Sequence, residues 1–243
     1  MKMLVFANRN TKEIVRDPLT LSFGLGFPLV LLLLLSAIQA NIPVQLFEIE
    51  KLTPGIGVFG LSFMSLFSAT LVSKDRGSSL LQRLYTTPLS AVDFIVGYTL
   101  PFIPIAVAQT AFCYAVAIFL KLEITINILL AIIFILPACL LFIAIGLLFG
   151  SILTDKQVGG ICGALLTNLT AWLSGVWFDL ELVGGTFKKI ADALPFVHAV
   201  EIERAILSGD YSNILFHMCW VICYAILATI LAIIFFLRQM KKQ

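Results

Sequence analysis

Six apolar runs, each long enough to cross a bilayer, follow one another along this chain with only short polar breaks between them. They cover residues 19–39, 52–73, 94–120, 126–152, 158–176 and 213–237. About twenty residues of helix cross the hydrocarbon core of a bilayer. Inside lipid every backbone N–H and C=O needs an internal partner, so runs of this kind fold as helices. The composition agrees. The chain is 60% hydrophobic and 12% charged, where a soluble domain carries roughly 25% charged residues. The expected fold class is all-α: a polytopic membrane protein built as a single domain over 1–243. A net charge of +2 gives no basis for binding nucleic acid.

The segments between the runs carry the remaining information. Residues 2–17 do not span. Asn8, Arg9, Lys12, Glu13 and Arg16 recur as one polar helical face, with Phe6, Ala7 and Ile14 off it, the pattern of an amphipathic helix lying at the membrane surface. Asp17-Pro18 ends it. Residues 74–90 form the longest polar interruption in the first two thirds of the chain. Leu80, Leu81, Leu84 and Tyr85 share one face of a short helix there, and Pro88 stops it. This is either a solvated loop resting on headgroups or a helix that docks a soluble partner. Residues 177–210 mix Lys188, Lys189, Asp192, Glu201, Glu203 and Arg204 with Phe187, Ile190, Leu194 and Phe196. That stretch is too polar to span and too apolar for a free loop. It predicts two short helices around Pro195, partly dipping into the bilayer.

Orientation follows from the basic residues. The N-terminal segment, the 74–90 segment, the turn at Lys156 and the tail carry 11 Lys and Arg; the opposite side carries 5. The first side is the predicted cytoplasmic one, with both termini on it. Nine acidic residues fall outside and five inside. No cleavable signal-peptide pattern is expected, because the N-terminus stays polar too long.

The chain lacks G-x-x-x-x-G-K-[ST], H-E-x-x-H and G-x-S-x-G, so no nucleotide loop, zinc-protease helix or nucleophile elbow is expected. Cys113, Cys139, Cys162, Cys219 and Cys223 all lie in apolar runs and read as reduced, packed residues, with no metal site. His198 and His217 read as interfacial or packed. Asp93 opens the third run, where a carboxylate suits a helix N-cap. Gly146 and Gly150 have the G-x-x-x-G spacing of helix dimers. No span carries the buried charge of an ion-coupled transporter. Gln109 and Asn168 are polar groups deep in runs three and five; they line a path or make interhelical hydrogen bonds.

Three motifs then carry a family resemblance over essentially the whole chain. They are Arg9-Asn10 with Lys12-Glu13 and Arg16-Asp17-Pro18; Leu81-Gln82-Arg83-Leu84-Tyr85-Thr86-Thr87-Pro88-Leu89-Ser90; and Leu173-Ser174-Gly175-Val176-Trp177-Phe178 with Leu194-Pro195-Phe196 and Glu203-Arg204-Ala205-Ile206-Leu207-Ser208-Gly209. The chain resembles the ABC transporter type-2 permeases, the membrane subunits of ATP-driven exporters. Gln82 stands where Glu is common, and Ser79-Leu80 where Gly-Thr is.

The resemblance implies an elbow helix carrying Arg9, Lys12, Glu13 and Arg16, and outer re-entrant helices between spans five and six. It also implies a cytoplasmic coupling helix over 77–88, using Gly77, Leu81, Arg83, Leu84, Tyr85 and Pro88. It further implies a separate ATPase partner, which holds the ATP and Mg, and a homodimer or heterodimer of permeases in a bacterial-type inner membrane. This chain would hold no cofactor and catalyse nothing alone. The substrate class is a hydrophobic or amphipathic molecule such as a drug, antibiotic or lipid. The alternatives are an energy-independent channel or scaffold, and an intramembrane enzyme, for which no paired carboxylates or histidines stand at mid-membrane.

Overall fold

The computed structural model describes residues 2–78, 80 and 89–240. All regular structure among them is helical. Helix α1 (Lys2–Val15) buries Phe6, Ala7, Asn10 and Ile14 and leaves Lys12 exposed, as is Arg16 just past its end. Five later helices are long and apolar enough to cross a membrane: α2 (Pro18–Gln39), α3 (Ile49–Gly77), α4 (Ala91–Phe119), α5 (Ile126–Ile152) and α10 (Ile214–Met240). The fifth predicted run forms α6 over 155–173, a shorter and more polar helix that does not meet the same length and apolarity.

The expected pair of short helices after α6 is a trio: α7 (Leu180–Val183), α8 (Gly185–Ala193) and α9 (Pro195–Ser208). Pro195 sits at the first turn of α9, where its missing N–H has no partner to lose. Gly184 and Gly185 make the break before α8, both at positive φ (58° and 57°), a region that costs a side chain strain.

Helix α3 is the centre of the bundle. The most apolar window of α3 is 83% buried, against 22% for α2 and for α10. Those two therefore turn their apolar flanks outward, as exposed Val30, Leu33, Ile226 and Ile230 show. The second half of α5 lies between α3 and α10. Its approach to α3 is close because Gly146 and Gly150 present no side chain. A Cβ on Gly146 would stand 2.0 Å from Ser68 Oγ and 2.3 Å from the Ser65 carbonyl, and one on Gly150 would stand 2.7 Å from the Ala69 carbonyl. The G-x-x-x-G face is thus consumed inside the chain, where small residues let two backbones meet, and is not left over for a second copy.

Several spans deviate from regular α-helix at recognisable residues. Helix α4 breaks at Leu100 before Pro101, and α5 at Ile135 before Pro137, since proline removes a donor and crowds the preceding turn. Residues Ser22–Gly26 of α2 and Gly159–Leu166 of α6 are π-helical, with i→i+5 bonds; such turns recur at functional sites.

Helix α3 runs to Gly77, past the expected limit at Ser73. Lys74, Asp75 and Arg76 are its last turn rather than the start of a loop. Arg76 caps the end of α5 by donating to the Ser151 and Leu153 carbonyls. A cation suits that C-terminus. Asp93 is not the N-cap of α4. Ser90 is, and Asp93 at the third helical position returns a bond to the Ser90 N–H at 2.9 Å, completing a capping box.

Candidate coupling site

The end of α3 and the start of α4 flank the segment that the sequence reads as a docking helix. Both are tied to α1. Asp75 is 3% exposed, and a carboxylate in such a place needs a partner. Arg9 supplies it as a fork: Nη1 donates to Oδ2 at 2.6 Å and Nη2 to Oδ1 at 2.8 Å. Two parallel N–H bonds to one carboxylate fix direction as well as distance. Tyr98 on α4 donates its hydroxyl to the same Oδ2 at 2.9 Å. Arg9 also pairs with Glu13 at 2.5 Å and donates to the Asn10 side-chain oxygen at 2.8 Å. Burial pushes the Glu13 carboxyl above the usual range, and Arg9 pulls the other way.

Asn10 completes the tie by donating to the Gly97 carbonyl at 3.0 Å. Phe6 lies directly on Gly97, where a Cβ would come within 2.5 Å of its ring. The Phe6 ring also meets Phe94 and Tyr98 edge-on, at 5.4 and 4.9 Å. Helix α1 therefore reads both α3 and α4 through one cluster: Phe6, Arg9, Asn10, Asp75, Gly97 and Tyr98. Next to it, Asp17 caps α2 by accepting from the Leu19 and Thr20 N–H groups. Burial opposes its ionisation, but these bonds and the Thr20 hydroxyl prevail and hold it below the ordinary range.

The predicted residues divide accordingly. Arg9 and Glu13 belong to the cluster, Lys12 and Arg16 face outward, and Gly77 is exposed at the last position of α3. Leu81, Arg83, Leu84, Tyr85 and Pro88 lie outside the described residues. Gln109 is fully buried and donates to the Gly57 carbonyl at 3.2 Å, tying α4 to α3. Asn168 is exposed on α6, its amide turned back to the Ala164 carbonyl. Asp75 and Tyr98 were missed. The available signal was a carboxylate only two residues beyond a predicted span, in a chain whose elbow carries arginine.

The other end of the bundle holds a cleft of about 1080 Å³ beside α9. Arg204 braces it, donating to the Lys51 and Gly175 carbonyls and pairing with Glu201. His198 and His217 are brought together, Nδ1 to Nδ1 at 2.8 Å, and His198 Nε2 sits 2.9 Å from the Asp192 carbonyl. A carbonyl only accepts, so His198 carries its proton on Nε2 and His217 donates from Nδ1. Burial pushes the His198 imidazole below its ordinary value.

The profile of the ABC-2 type transporter family matches residues 1–208, from α1 to the end of α9. The chain belongs to the ABC-2 type transporter family. It is an integral membrane protein and the permease component of an ABC transporter, a role in which the membrane chain associates with an ABC ATPase subunit. No curated protein matches the chain. As an ABC-2 permease the chain must receive work from outside itself, which gives the ties between α1, α3 and α4 their interest.

Proposed function

We propose that this permease exports a hydrophobic or amphipathic substrate outward, driven by an ATPase that docks on residues 77–88. The single observation that carries the reading is the Arg9–Asp75–Tyr98 cluster. A push on a segment held between α3 and α4 reaches both helices at once. Helix α1, bonded to both, keeps them moving as a unit. Leu81, Leu84 and Tyr85 fill an apolar cleft of the ATPase and Arg83 pairs with its acidic rim. The ATP and Mg belong to that partner.

Both termini are cytoplasmic in this reading, the α9 cleft faces out, and α6 is the sixth membrane crossing. Two permease chains, two copies of this one or this one and a close relative, form the path. Exposed Asn168 and the open glycines Gly159 and Gly160 support a reading in which the second permease chain lies along α6, because an amide facing lipid is costly and one facing protein or a water-filled path is not. Gln109, bonded to Gly57 inside one chain, acts as an interhelical tie. The substrate class follows from the scarcity of charge in the spans.

The test is ATP-dependent export by a variant carrying both Arg83→Glu and Leu84→Asp. Export is abolished if these side chains dock the ATPase. Export at the wild-type rate would rule the docking role out.

A further inference from the structure

One buried acid takes no part in the account so far. Glu203 is 1% exposed on the inward face of α9, while its neighbour Arg204 lines the cleft. The Tyr114 hydroxyl on α4 donates to Glu203 Oε2 at 3.5 Å, and Oε1 has no hydrogen-bond partner among the described residues.

Among the described residues no cation pairs with it. Arg204 is committed to two carbonyls and Glu201, Lys51 to Glu48, and Lys188 to Glu181 and Asp192. On the helices packed against α9, the remaining titratable groups at this end are Glu50 on α3, Lys189 on α8, and His217, Cys219, Cys223 and Tyr224 on α10. None of these bonds to Glu203. His217 pairs with His198 and Tyr224 bonds the Ala193 carbonyl. Glu201 on α9 itself adds like charge, and α5 offers only the Cys139 thiol. On α4, Cys113 lies beside Tyr114.

A carboxylate without a counter-charge in such a place is strongly disfavoured. The neutral acid costs less, yet it still leaves one oxygen unpaired. An apolar residue would pack here without either cost. The expensive group has a use only if a second arrangement gives it water.

We propose that Glu203 is a proton-binding site: it is held as the neutral acid while α9 is packed on α3 and α5 with the carboxyl facing Tyr114 of α4, and it releases its proton into the cleft when α9 moves away from them. Opening and closing of this end then moves one proton per chain, and alkaline conditions favour the open arrangement. The proposal stands independently of the ATPase reading, since it needs only this chain.

Infrared spectra of the purified chain in lipid nanodiscs test it directly. At neutral pH the wild type shows the carbonyl stretch of a protonated carboxyl that Glu203→Gln lacks. Tyr114→Phe keeps that band but shifts it, which covers the case of a glutamine variant that does not fold. Absence of any protonated-acid band in the wild type overturns the assignment.

The linked opening is read by thiol labelling of Cys113 in a background carrying Cys219→Ser and Cys223→Ser. As pH rises, labelling outpaces that of the same protein with Glu203→Gln by about tenfold, the effect of one pH unit of linkage. Equal rates in the two proteins would overturn the opening step. The glutamine control removes the thiol's own dependence on pH.

Discussion

Arg9 and Asp75, 66 residues apart in sequence, meet as a two-pronged pair at 2.6 and 2.8 Å. The acid is almost wholly buried and the arginine about one third exposed. Tyr98 reaches the same carboxylate from α4. One pair thus connects α1 to both helices that bracket the proposed docking segment.

Removing the arginine leaves the acid with only a phenol. Losing one partner of a fully buried pair costs about 3–5 kcal/mol, and the partial exposure of Arg9 lowers this to about 2–3 kcal/mol. Arg9→Ala is expected to lower stability by that amount and Tyr98→Phe by about 1 kcal/mol. Thermal unfolding in detergent measures both. A double-mutant cycle of Arg9→Ala with Asp75→Asn should show strong coupling.

The contact between α3 and α5 predicts a sharp contrast among glycines. Gly146→Ala sets a methyl against the Ser65 backbone, which has no rotamer to move away by. It should destabilise by about 3 kcal/mol or more. Gly159→Ala meets nothing within 4 Å, so it should leave the single chain unchanged or stabilise it by up to about 1 kcal/mol. Unfolding midpoints of the two variants, measured side by side, check this.

Much of this arrangement was legible in the sequence. Long apolar runs fix helices because lipid offers the backbone no other partner, and α2, α3, α4, α5 and α10 follow; α1 follows instead from its polar face of Arg9, Lys12 and Glu13. Partnership was less legible. Gly146 and Gly150 carry a spacing that serves a neighbouring helix of the same chain as well as a second copy, and spacing alone does not choose. Asp75 looked like loop because charge usually ends a span; its burial depends on Arg9, far away in sequence. Asp93 and Ser90 are both plausible caps, and only backbone geometry assigns which is which. Residues 81–88 carry the most specific motif, and their role rests on the motif and on what flanks them.

The histidine pair gives a pH prediction. Burial holds His198 below its ordinary value, so its folded form resists the charge that the unfolded chain accepts. Its contribution is therefore complete above the unfolded value of about 6.5 and declines as pH falls below that. The unfolding midpoint should drop between pH 8 and pH 5, by about 2–4 °C for each kcal/mol lost. His198→Asn should flatten that part of the profile.

Glu203 carries the opposite sign. Burial pushes its carboxyl well above the ordinary range, so its contribution is complete below the unfolded value of about 4.3 and is lost as pH rises toward the folded one. Glu203→Gln should therefore be more stable than the wild type at neutral and alkaline pH, with the difference closing toward pH 4. Chemical denaturation at three pH values checks the trend.

Ser90 offers a milder perturbation at the start of α4. Ser90→Ala removes the oxygen that accepts from the Asp93 N–H at 3.2 Å. About 1 kcal/mol of stability should be lost, without loss of the assembled bundle. Circular dichroism at fixed temperature, followed through the unfolding transition, reads this.

The most direct test of the central claim is the amount of ATPase that co-purifies with the tagged chain from its native cell in mild detergent. The account predicts equimolar ATPase with the wild type and with Arg9→Ala, and its loss with Leu84→Asp. Retention of the ATPase by Leu84→Asp at the wild-type ratio would contradict docking through residues 77–88.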